Sequence, residues 1–66
     1  MAAKTQFFYQ LQAARYAFEL GTAVTTNQAC HAREMASRAR EAEEAMDRGE
    51  SAEKAWHFYQ TGRWPD

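Results

Sequence analysis

Apolar residues recur at helical spacing near the start of the chain. Phe7, Leu11, Ala14 and Phe18 fall at i, i+4, i+7 and i+11, and Tyr9, Ala13, Tyr16 and Leu20 make a second row. Read together as one wide apolar face, they predict a first helix over about residues 5–20. Gln6, Gln10, Gln12, Arg15 and Glu19 mostly occupy the remainder, and Gly21 is expected to end the helix as a left-handed residue. Phe8 stands outside the Phe7 row and is expected to widen the face or to meet a second copy of the chain.

The next run opens after Thr22-Ala23-Val24, a connection too short to separate domains. Thr25 followed three residues later by Gln28 is a capping-box pattern, and Val24 just before it is positioned to act as a hydrophobic staple. A central helix follows over about residues 26–48. Ala32, Met35, Ala39, Ala42 and Met46 repeat at spacings of 3 and 4, with Ala29, Ala36 and Ala45 alongside. A stripe so poor in bulk must be filled by large side chains from a neighbour, and the first helix has them. The two helices therefore read as an antiparallel hairpin. Glu34 with Arg38 and Glu44 with Arg48 are i, i+4 pairs expected on the solvated side.

Gly49 reads as the stop of the central helix and Ser51 as the cap of a short third helix over about residues 52–61, closed by Gly62. Its apolar side is Ala55, Trp56 and Tyr59, with Phe58 nearby, and Glu53 lies in the first turn, where the helix dipole favours an acid. Pro65 biases Trp64 away from helical geometry. The whole reads as one all-α domain: an antiparallel helical hairpin plus a short third helix, forming a homodimeric helical bundle.

Size is the reason for expecting a dimer. A 66-residue chain has too little buried surface for a single core to be more than marginal, so help from a disulfide, a metal or a second copy is anticipated. Cys30 is the only cysteine and can bridge only to another chain. Its placement in a helix suggests a reducing compartment. No cofactor is expected. The first residues, Met1 to Gln6, have no signal-like apolar core, and no apolar run approaches a membrane span, so a soluble, cytoplasmic chain with no membrane partner is expected.

A net charge of −1 argues against strong nonspecific affinity for nucleic acid, but it conceals a division. Residues 1–40 carry five basic residues against two acidic ones, and residues 41–66 carry three against seven. Such polarity suits antiparallel self-association and leaves room for a locally basic face.

Chemistry has little to work with. Cys30, His31 and Glu34 cluster in sequence, but Cys30 projects about 100° away from His31 around a helix, and His57 is remote, so they match neither a zinc pattern nor a nucleophile and its base. Glu41, Glu43, Glu44 and Asp47 lack the spacing of a calcium loop and read as a solvated face. The three glycines read as helix stops, not as a phosphate cradle. Enzymatic activity is not expected.

Two functional classes remain. The first is a non-catalytic protein-binding module, a small regulator or inhibitor of a larger host protein that acts as a homodimer. It rests on nine aromatic residues, a surplus for so small a core. Trp56, Tyr59, Arg63 and Trp64 are its candidate partner-binding residues, since Trp, Tyr and Arg are the usual anchors of interfaces. Phe7, Leu11, Phe18, Met35, Ala39 and Met46 are assigned to the core and to a dimer interface formed by the first helix's aromatic row and the central helix's alanine face. The second class is a small DNA-binding regulator. Ala17 to Gly21 followed by Val24 to Ala29 loosely resembles a helix-turn-helix unit, which would offer Gln28, Arg33 and Arg40 to bases and phosphates. The Gly21 to Val24 turn is long for that motif, and the domain is not basic.

Overall fold

A computed structural model describes residues 4–65; Met1 to Ala3 and Asp66, counted above in the charge and composition, lie outside the described residues. The described chain is all-α, with α1 (Gln6–Gly21), α2 (Thr26–Asp47) and α3 (Ala52–Thr61). Both α1 and α3 pack on α2. Near one end of the α1 and α2 contact the Gln6 side-chain amide donates to the Glu43 carbonyl at 3.3 Å, and near the other the Tyr16 ring meets His31 edge-on at 5.8 Å.

Each helix boundary has a local cause. Before α2 the Thr25 hydroxyl accepts from the Gln28 N–H at 3.1 Å, and the Gln28 carboxamide oxygen accepts from the Thr25 N–H at 3.3 Å, which completes the capping box. The same oxygen also accepts from the Val24 N–H at 3.0 Å. Val24 is not a staple: it is 88% exposed. At the other end of α2, Gly49 takes φ +100°, the Glu50 N–H bonds back to the Ala45 carbonyl at 2.9 Å, and the Gly49 N–H to Met46 at 3.0 Å. That pair of bonds is a Schellman closure, which a positive φ at the glycine makes possible. Ser51 caps α3 by accepting from the Lys54 N–H at 3.2 Å, and Gly62 ends it at φ +81°.

Gly21 departs from expectation. It lies within α1 and is not among the glycines of positive φ. Thr22 is the cap, its hydroxyl donating to the carbonyls of Phe18 and Glu19 at 3.1 and 3.4 Å, so α1 closes without a left-handed residue. Of the two expected ion pairs, Glu34 and Arg38 meet at 2.7 Å. Glu44 and Arg48 do not pair among the described residues, although the Arg48 N–H still bonds to the Glu44 carbonyl at 3.1 Å; both side chains stay exposed.

The core joins small residues to large ones. All five buried residues of α2, Ala32, Ala36, Ala39, Ala42 and Ala45, are alanines. Bulk comes from Tyr9 of α1 and from Phe58 and Tyr59 of α3, with Phe8, Ala13, Met35, Met46, Trp56 and Trp64 packed around them. Met35 and Met46, assigned to the core from their spacing, are therefore at its margin, and Ala39 is at its centre with no exposed surface. Phe8 belongs to this core. Its ring lies 5.3, 5.8 and 5.6 Å from those of Tyr9, Trp56 and Tyr59, each edge-on, an arrangement aromatic quadrupoles favour.

The assignment of Phe7, Leu11 and Phe18 to the core is corrected by the structure: they are 64%, 51% and 72% exposed. At 100° per residue the Tyr9, Ala13, Tyr16 and Leu20 row is centred roughly 160° from the Phe7 row, so the two are opposite faces, not neighbours. One neighbouring helix can cover only one of them. The alanine face of α2, expected at a dimer interface, is instead consumed inside the chain by Tyr9, Phe58 and Tyr59.

Candidate protein-interaction surface

Three of the four exposed large apolar side chains among the described residues, Phe7, Leu11 and Phe18, lie on the outward face of α1. Phe7, Leu11, Ala14 and Phe18 are all exposed and lie within about 60° of one another around the helix. Taking about 200 Å² for a phenylalanine and somewhat less for a leucine, the three large side chains present about 350 Å² of apolar surface. A patch of this size is comparable to the largest on ordinary monomers, where such patches are often functional. Its flanks are mild. Gln10, Ala17 and Gly21 border one side, all exposed, and Arg15 borders the other, with its guanidinium held by Glu19 at 2.9 Å.

The four candidate partner-binding residues, Trp56, Tyr59, Arg63 and Trp64, differ in how far they are open. Tyr59 is 7% exposed and packs in the core. Trp64 stacks on Phe58 with centroids 4.5 Å apart and planes 7° from parallel, and its indole N–H donates to the Glu41 carboxylate at 2.9 Å. Both are engaged within the chain. Trp56 is half-buried, stacked on Tyr59 at 5.8 Å, with the Lys4 ammonium 5.4 Å from its ring centroid. Arg63 is exposed.

Arg38 fastens this region. One guanidinium nitrogen donates to the carbonyls of Tyr59 and Gln60, both at 3.4 Å, and the other donates to Glu34 at 2.7 Å. The last carbonyls of α3 thus find a cation, which complements the negative end of the helix dipole.

Gln28, Arg33 and Arg40 are all exposed on α2. The carboxamide oxygen of Gln28 is committed to the helix cap. Arg33 and Arg40 border a shallow depression together with Ser37, but Glu41 and Glu44 border it as well, so its charge is mixed. Cys30 is exposed, and among the described residues no group of three or more His, Cys, Asp or Glu side chains is arranged to hold a metal ion. No helix of the described residues is long and apolar enough to cross a membrane.

Two phenols in the core are shifted. Burial pushes the Tyr9 phenol above its ordinary range, and the Tyr9 hydroxyl has no hydrogen-bond partner among the described residues. The Tyr59 phenol is pushed up to about 12, by burial first and then by the neighbouring Tyr16 phenol.

The outward row was composed of residues singled out from the sequence, but its outward orientation was not foreseen. The roughly 200° from Phe7 to Tyr9 sets the two rows on opposite faces without saying which of them faces out. Comparisons with protein-family models, with curated proteins and with solved structures return no match.

Proposed function

We propose that the chain is a non-catalytic protein-binding module that acts as a homodimer, with α1 and α2 forming an antiparallel helical hairpin and the outward row of α1 as the docking face. One observation carries this reading. Phe7, Leu11 and Phe18 stand 64%, 51% and 72% exposed in a single row, while the intrachain core is already closed by other aromatics. Apolar side chains in register, bordered by polar ones, are the make-up of an interface core and rim. A second copy would also supply the burial that so short a chain lacks. The module suits a small regulator or inhibitor of a larger protein, for which Trp56 and Arg63 remain as a separate surface on α3 and the segment after it.

Sedimentation equilibrium from low micromolar to sub-millimolar concentration tests the reading. The wild type is expected to dimerise across this range. Leu11→Ser and Phe18→Ser are expected to be monomeric, with helicity by circular dichroism unchanged because neither side chain is in the core. A wild type that stays monomeric throughout would remove the homodimer. Dimers that tolerate both substitutions would move the docking face elsewhere.

A further inference from the structure

Resting on the homodimer reading, we infer that the second copy lies antiparallel on the first across the α1 row, about a two-fold axis, with Phe7 against the second copy's Phe18 and Leu11 against its Ala14. The row itself has the symmetry this requires. Its spacings are four, three and four residues whichever end is read first, and a phenylalanine stands at each end. A two-fold contact uses the same patch on both chains, so a row that reads alike in both directions fits itself.

Bulk chooses the direction. In the antiparallel pair each central layer sets a leucine against an alanine, and the two layers are equal. A parallel pair would set Leu11 on Leu11 and Ala14 on Ala14, with one crowded layer beside one empty one, which close packing disfavours. Antiparallel helix dipoles also attract one another, whereas parallel ones repel. The flanks offer no obstacle: Gln10 and Ala17 are uncharged, and the charge of Arg15 is answered by Glu19 within its own chain.

Position and area agree. The row faces roughly 160° away from the side that meets α2, so an incoming α1 does not compete with α2 or α3. About 350 Å² of apolar surface per chain, widened by Gln10, Ala17 and Gly21, falls short of the about 800 Å² per partner typical of stable complexes. The dimer is accordingly of moderate affinity, in exchange with monomer at micromolar concentration.

Disulfide trapping tests the arrangement separately from dimerisation. In a Cys30→Ser background, chains carrying Phe7→Cys are mixed with chains carrying Phe18→Cys and oxidised gently, with circular dichroism confirming that both stay helical. In the mixed pair one Phe7 to Phe18 contact survives and the other becomes the bridge, so the mixed disulfide is expected to dominate. Like cysteines would be separated along the axis by eleven residues, about 16 Å, beyond the about 7 Å between Cα atoms that a disulfide spans. Homodisulfides in excess, with the wild type still dimeric by sedimentation, would overturn the antiparallel arrangement and leave the dimer standing. Unselective or negligible trapping in a protein still dimeric would overturn it as well. A wild type monomeric at every concentration would overturn both.

Discussion

Replacing Tyr9 by phenylalanine should make this protein more stable, an unusual sign for a change at a wholly buried position. Among the described residues Tyr9 is the one large side chain with no exposed surface, and its hydroxyl finds no partner there. Its ring contacts, 5.3 Å to Phe8 and 5.5 Å to Tyr59, do not involve the oxygen and are retained by phenylalanine. Burying a hydroxyl without a hydrogen bond costs about 1–3 kcal/mol in proteins. The void left by removing one oxygen, on the order of 10 Å³, returns only about 0.3 kcal/mol of that. The net expectation is a gain of about 1–2 kcal/mol, which for a domain of this size raises the midpoint of thermal unfolding by about 4–15 °C. Paired thermal and urea melts, followed by circular dichroism at one protein concentration so that any self-association weighs equally on both proteins, measure it. A loss of about 1 kcal/mol or more would refute the reasoning, since it would mean that the hydroxyl makes a favourable bond.

The three glycines, alike in sequence, should separate when each is changed to alanine. Gly21→Ala is expected to stabilise by about 0.5–1 kcal/mol, since the residue is helical and a Cβ there meets nothing within 4 Å. Gly49→Ala should cost about 1–2 kcal/mol from its φ of +100° alone. Gly62→Ala should cost about as much from its φ of +81°, the Arg38 guanidinium 2.9 Å from the added Cβ shifting to make room; urea midpoints separate Gly21 from the other two. Arg38→Met keeps the aliphatic stem but removes the donor to Tyr59 and Gln60, and at bond lengths of 3.4 Å the loss should be about 1 kcal/mol. Hydrogen exchange should then show α3 losing protection before α1 and α2. Alkaline titration gives a further check. Tyr9 and Tyr59 have folded pKa values above the ordinary tyrosine value of 10.0, Tyr59 at about 12, so the folded state holds its phenol protons more tightly than the unfolded state. Their contribution is complete below pH about 10 and is lost as pH rises through about 12. Helicity followed against pH should fall in that window, and Tyr59→Phe should move the fall to higher pH.

What could be read in advance was what neighbours in sequence decide. The Thr25 and Gln28 cap lies within four residues, and the stops at Gly49 and Gly62 need only the glycine itself, so helix number and limits were legible to within about a residue. Gly21 is not the stop because Thr22 supplies a hydroxyl to the same carbonyls that a left-handed turn would satisfy. The inward choice of α1 was legible only as geometry: two apolar rows were present, and the angle between them meant that one must face out. Trp64 illustrates the remaining limit. Its indole proton goes to Glu41, 23 residues earlier in the chain, and no local pattern pairs them. The candidate interaction site shifted accordingly, away from the Trp56 to Trp64 segment and onto α1.

The alanine stripe of α2 also shapes how the sequence can vary. Ala39 and Ala42 have no exposed surface and lie in one cluster with Tyr9 and Tyr59, where a methyl fills the space. Any larger side chain there overpacks the contact, and glycine loosens the helix, so substitution in either direction is penalised. The aromatics opposite are constrained the other way, since each can only shrink and leave a void. Drift in this protein is therefore channelled to the polar flank of α2 and the outer face of α1. A new surface property would have to be written on those same faces.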